Sequence, residues 1–128
     1  MLIIGLMIGG ALGTLGRYLL STAMQPLTAN APLSLGTITV NILGCFIIGV
    51  LSNQRIASNI APGWYLALST GFTGAFTTFS TFELETNTLA REGTWSLASA
   101  YVFASLILGY AALLLGRFTA SRFISHGT

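Results

Sequence analysis

TGFTGAFTTFSTFELE, residues 70–85, is the stretch whose reading decides the fold. Two glycines, six threonines and serines and four phenylalanines share its sixteen residues. That mixture suits neither a lipid-facing helix nor a loop in water. Clustered glycines and hydroxyl residues open helices, yet an open backbone inside hydrocarbon is tolerated only where protein or a water-filled cavity covers its polar groups. The stretch therefore predicts a helix broken at membrane depth. Gly71 and Gly74 are expected to adopt backbone angles that other residues avoid, leaving carbonyl oxygens without helical partners.

The surrounding composition agrees. Of 128 residues, 53% are hydrophobic and only 6% charged, against about 25% charged in soluble domains. Mean hydropathy is +0.79. These values describe an integral membrane protein. The chain has no Asp and no Lys; its acids are Glu83, Glu85 and Glu92, and its bases Arg17, Arg55, Arg91, Arg117 and Arg122. A net charge of +2 leaves no footprint for nucleic acid. The single cysteine, Cys45, lies in an apolar run and reads as a packing residue. The amino terminus lacks a basic n-region and its apolar run is long, so it reads as a retained span, not a cleaved signal.

Working outward, the expected architecture is all-α: one membrane domain over residues 1–128 with four transmembrane helices near 2–24, 35–52, 64–90 and 95–118, the third broken. In the first block Gly5, Gly9 and Gly13 recur every four residues and make a smooth strip for close helix approach, widened by Gly10 and Gly16. Pro26 and residues 28–32 read as a loop, as do residues 53–63. Asn41 is the one strongly polar side chain of block two, sharing a face with Thr37 and Gly44. Two readings of it stand: a bond to a neighbouring helix, or an amide that donates to a passing solute. Trp64, Tyr65 and Trp95 suit the membrane interface. On block four Tyr101, Ser105 and Gly109 form a stripe with hydroxyls at one end. Three arginines fall on one side of four spans and two on the other, a bias weak enough to suit insertion in both orientations and an antiparallel dimer.

No arrangement reads as catalytic. His126 stands in a polar tail, and there is no Cys/His cluster for zinc or glycine loop for phosphate. Glu83 and Glu85 read as a hydrated helix face or the mouth of a path. What remains is a set of neutral donors, Asn41, Thr77, Thr78, Ser80, Thr81, Tyr101 and Ser105, interleaved with Phe79 and Phe82. Phenyl edges are positive and contact anions, whereas exposed backbone oxygens suit a hard cation. The residues thus provide a possible cation seat and a donor-lined route for an anion.

GTITVN at residues 36–41, together with TGFTGAFTTFSTFELE, closely resembles the Fluc/CrcB fluoride channels of microbes, over essentially the whole chain. The resemblance implies passive, fluoride-selective export from the cytoplasm across the cell (plasma or inner) membrane. It implies a dual-topology antiparallel homodimer embedded in lipid, with two pores. Asn41, Phe79, Ser80, Thr81, Phe82, Tyr101 and Ser105 match the family's anion pathway, and the backbone carbonyls of Gly74 and Thr77 match those that hold a structural sodium ion at the dimer interface. Departures are Gly109 and Leu113, where other members often carry Ser or Thr, and Glu83, which replaces a small polar residue. Because some members pair two complementary chains, a heterodimer with a paralogue is a further expectation. Outside the resemblance, a small dual-topology multidrug exporter or a non-transporting membrane assembly protein are the competing classes. The exporter would need a membrane carboxylate, and block one has none.

Overall fold

The structure, a computed structural model, describes residues 2–28 and 33–125, and every described element is a helix. Two are long and apolar enough to cross a membrane: α1 (Leu2–Thr28) and α7 (Trp95–Ser125). α2 (Leu35–Leu51) is shorter, at 17 residues, and more apolar than either; at 1.5 Å per residue it is about 25 Å long. A short α3 (Gln54–Asn59) precedes the interrupted helix. That helix runs as α4 (Pro62–Leu66), a wide π-type segment (Ala67–Thr73), α5 (Gly74–Phe76), a two-residue gap, and α6 (Phe79–Arg91).

Several expected boundaries move. Pro26 lies inside α1, where it leaves the Thr22 carbonyl without a helical amide, and α1 ends two residues later at Thr28. Residues 29–32 of the expected loop, and His126, lie outside the described residues. The expected 53–63 loop contains α3 and the start of α4, with Pro62 at the first helical turn, where its fixed φ suits helix entry. α7 continues past residue 118 to Ser125.

α2 sits centrally, against α7 on one side and α1 and the interrupted helix on the other. Glycines permit the close approaches. A Cβ on Gly49 would collide with the Leu113 carbonyl and one on Gly116 with the Phe46 carbonyl, so α2 and α7 touch backbone to backbone. A Cβ on Gly9 or Gly13 would likewise strike the carbonyl of Ala67 or Phe72, so the glycine strip of α1 seats the π segment. Phe82, Leu89, Ala98 and Tyr101 form the buried cluster between α6 and α7. The outer faces are apolar instead: Ile3, Met7 and Leu12 on α1, and Phe103, Leu106 and Ile107 on α7, are all exposed. Continuous apolar surface with so small an interior is what lipid, not water, would cover.

Candidate functional site: the interrupted helix

The interruption falls at Thr77 and Thr78, not at the glycines. Thr77 has φ −80° and ψ 159°, and Thr78 φ −147° and ψ 115°. Both lie in the extended region that β-branched residues favour. Gly74 is helical, at φ −64° and ψ −36°, and Gly71 lies within the π segment. Gly93 is the sole described residue with positive φ. The expectation that Gly71 and Gly74 would take unusual angles is therefore corrected: extended backbone is open to any L-residue, so the break needs no glycine.

Polar groups from α1 and α2 close the gap. Asn41 Nδ2 donates to the Thr78 carbonyl at 3.0 Å, and the Thr78 N–H donates to Asn41 Oδ1 at 2.8 Å. The side-chain amide thus pairs with both the N–H and the carbonyl of Thr78, as a neighbouring strand would, satisfying two groups whose exposure to hydrocarbon would be costly. From α1, Arg17 Nη1 donates to the Thr77 carbonyl at 3.3 Å. The Thr78 hydroxyl caps α6, accepting from the Thr81 N–H at 3.3 Å and donating to Thr81 Oγ1 at 2.9 Å. Because the Thr78 N–H turns to Asn41, the Gly74 carbonyl loses the amide that a continuous helix would give it. Gly44 leaves the space for this: a Cβ there would collide with Thr77 Cγ2. Thr37, Asn41 and Gly44 do share one face, and all three meet the interrupted helix or its continuation in α6. Asn41 keeps one amide hydrogen beyond the bond to Thr78.

The two phenylalanines differ in environment. Phe82 is 7% exposed and packs on Tyr101, with ring centroids 5.2 Å apart. Phe79 is 73% exposed, although its ring lies 5.9 Å from that of Phe82. Ser80 and Thr81 are exposed beside it. A cavity of about 380 Å³ runs along this face, lined by Asn41, Cys45, Gly74, Thr77, Thr78 and Phe79.

A second polar cluster lies one to two turns further along α6. Glu85 receives the Tyr101 hydroxyl on Oε2 at 2.5 Å and the Thr37 hydroxyl on Oε1 at 2.8 Å. The reading of Glu85 as a hydrated helix face is thus corrected: it is half-buried, tying α2, α6 and α7 together. Residues 37, 85 and 101 are too far apart in sequence to form a local pattern, and an acid next to the apolar core was the one available signal. Glu83, in contrast, is exposed. Ser105 lies one turn beyond Tyr101, its Oγ buried and without a partner within the described chain. Arg17 is the other contributor that composition alone did not single out. Gly109 is buried, and a Cβ there would meet Cys45 Sγ at 3.4 Å, ordinary contact.

The apolar exterior, the helices long enough to span a bilayer, and a polar junction at an interrupted helix define a helical membrane protein. A family model described as CrcB-like protein, Camphor Resistance (CrcB), matches residues 4–117, and the chain belongs to that family. It is 44% identical to a protein of Chlorobium chlorochromatii (strain CaD3) named fluoride-specific ion channel FluC, over 88% of this chain and 87% of the relative. It is also 44% identical to the protein of that name from Solibacter usitatus (strain Ellin6076), over 90% of this chain and 94% of the relative. A third such relative, from Gluconobacter oxydans (strain 621H), is 42% identical over 91% and 83%.

Proposed function

We propose that the chain is a passive fluoride channel of the cell membrane, working as an antiparallel dimer that lowers cytoplasmic fluoride. The observation that carries this reading is the Asn41-closed break, with hydroxyls and phenyl rings at its restart, in a chain that aligns almost end to end with relatives named for fluoride.

Fluoride is small and strongly hydrated, so a dry path must replace its water with several close donors. The remaining Asn41 amide hydrogen, the Ser80, Thr81 and Ser105 hydroxyls and the phenyl edges of Phe79 and Phe82 are of that chemistry, whereas the Tyr101 hydroxyl gives its one hydrogen to Glu85. An unpartnered buried hydroxyl such as Ser105 Oγ is costly in a single chain and supports a role toward an ion or its water. Neutral donors also release an ion more readily than a fixed ion pair would, as conduction requires. Phe79, Ser80 and Thr81 face outward, so a second copy is needed to enclose them. A homodimer in dual topology does this most simply; a complementary paralogue is the other source.

A structural sodium ion fits the donors available. Gly74 O lacks its helical amide, nothing lies within 4 Å of a Cβ built on Gly74, and Thr77 O keeps a lone pair beyond the one given to Arg17. Neutral carbonyl oxygens suit a hard cation, and two from one chain fall short of its usual coordination, so the partner's pair would complete the site. When bound, the ion supplies positive charge and a link between chains. Replacing sodium by choline during purification is expected to lower the melting temperature of the dimer. An unchanged melting curve at micromolar sodium would refute the site.

Purified protein in liposomes loaded with fluoride tests the function. Rapid fluoride release, indifferent to an imposed proton gradient and not matched by chloride, is the expected result. The gradient arm matters because Glu85 is a half-buried carboxylate of the kind a proton-coupled exporter would use. Proton-driven release would favour that exporter, and no flux from an intact dimer would leave the assembly role. In the same assay Phe82→Ile should slow release by about tenfold or more, since isoleucine fills the Tyr101 contact without a polarised ring edge. Parental release from Phe82→Ile would remove the ring from the pathway.

A further inference from the structure

The gap at Thr77 and Thr78 follows directly on a rare feature, the π segment Ala67–Thr73. Its turns close between residues i and i+5, one residue more per turn than an α-helix, and such segments usually mark functional positions. Side chains secure it. Thr73 Oγ1 donates to the Leu68 carbonyl five residues back at 2.9 Å, and Ser69 Oγ to the Tyr65 carbonyl at 2.7 Å. The widened turn also presses the carbonyls of Ala67 and Phe72 against Gly9 and Gly13, where no side chain would fit, while Gly71 approaches Gly9 and the Leu6 carbonyl from the other side.

One residue of an α-helix corresponds to about 100° of rotation and about 1.5 Å of rise. Winding the same sequence as a continuous α-helix from Pro62 would therefore turn everything after the segment by that amount. Thr77 O would leave Arg17, and the Thr78 peptide would leave Asn41.

We propose that Ala67–Thr73 is a register device: it stores one residue more than an α-helix between Leu66 and Gly74 needs, and Gly9, Gly13 and Gly71 are the positioning residues that keep it there. The stored residue sets which backbone groups Asn41 and Arg17 receive. This rests on the fold alone and holds whatever ion passes.

Single-residue changes in the turn test it. Deleting exposed Thr70 should let the turn close as an α-helix with both flanks on their present faces. The melting temperature should stay within about 5 °C of the parent, and fluoride release within about threefold. Deleting Leu68 instead should behave alike, because the surplus belongs to the turn and not to one side chain. Inserting one alanine after Thr70 adds a residue that the turn has no room for; the melting temperature should fall by more than about 10 °C and release should be lost. If both deletions are as damaging as the insertion, or the insertion is as harmless as the deletions, the proposal is wrong. Melting temperatures decide the matter independently of the ion conducted.

Discussion

Asn41→Asp is expected to cut fluoride release from liposomes by at least about 100-fold, the scale on which misplaced groups at a site act, while the protein still elutes as a dimer. The change keeps shape and reverses one contact. Asn41 Oδ1 can still accept from the Thr78 N–H, but an ionised aspartate has no hydrogen for the Thr78 carbonyl 3.0 Å away. Two oxygens then face each other at a half-buried junction, and a negative charge stands on the path proposed for the anion. Losing one partner of a buried bond also leaves the other unsatisfied, at a cost of about 1–3 kcal/mol. Parental release from Asn41→Asp would show that neither the amide donor nor the closed break serves conduction.

The largest expected effect on stability comes from α1. Gly13→Leu should abolish the folded protein or lower its melting temperature by more than about 10 °C, because overpacking at a rigid contact is costly and Phe72 O is backbone that has nowhere to go. Gly63→Ala is the matched control: nothing lies within 4 Å of a Cβ built there, so its melting temperature should stay near the parent's. Melting curves of both variants in the same detergent check the pair. If Gly13→Leu melts like the parent, α1 does not seat the π segment by backbone contact.

These expectations separate two kinds of glycine that look alike in sequence. Gly5, Gly9 and Gly13 are spaced as a packing strip, and Gly9 and Gly13 do meet backbone. Gly74 reads as a hinge, yet it is helical, and the chain opens three residues later at threonines. A strip is a one-dimensional property of helical spacing and survives in any fold that keeps the helix. A hinge depends on which groups from other helices are ready to take the released amides and carbonyls, here Asn41 and Arg17.

The sequence by itself determined that residues 70–85 could not be an ordinary span, that the chain belongs in lipid, and that Asn41 had to find a partner in protein or water. Those conclusions follow from composition and periodicity, because hydrocarbon penalises polar groups so heavily that each one present must have a purpose. Only the tertiary structure decided where the break falls, that Asn41 pairs with Thr78, and that Glu85 bridges Thr37 and Tyr101. It alone places a π turn ahead of the gap. The reason is geometric: a hydrogen bond is settled to within a few tenths of an ångström by helices far apart in the chain, whereas the residue string from 70 to 85 fixes only that some partners must be found.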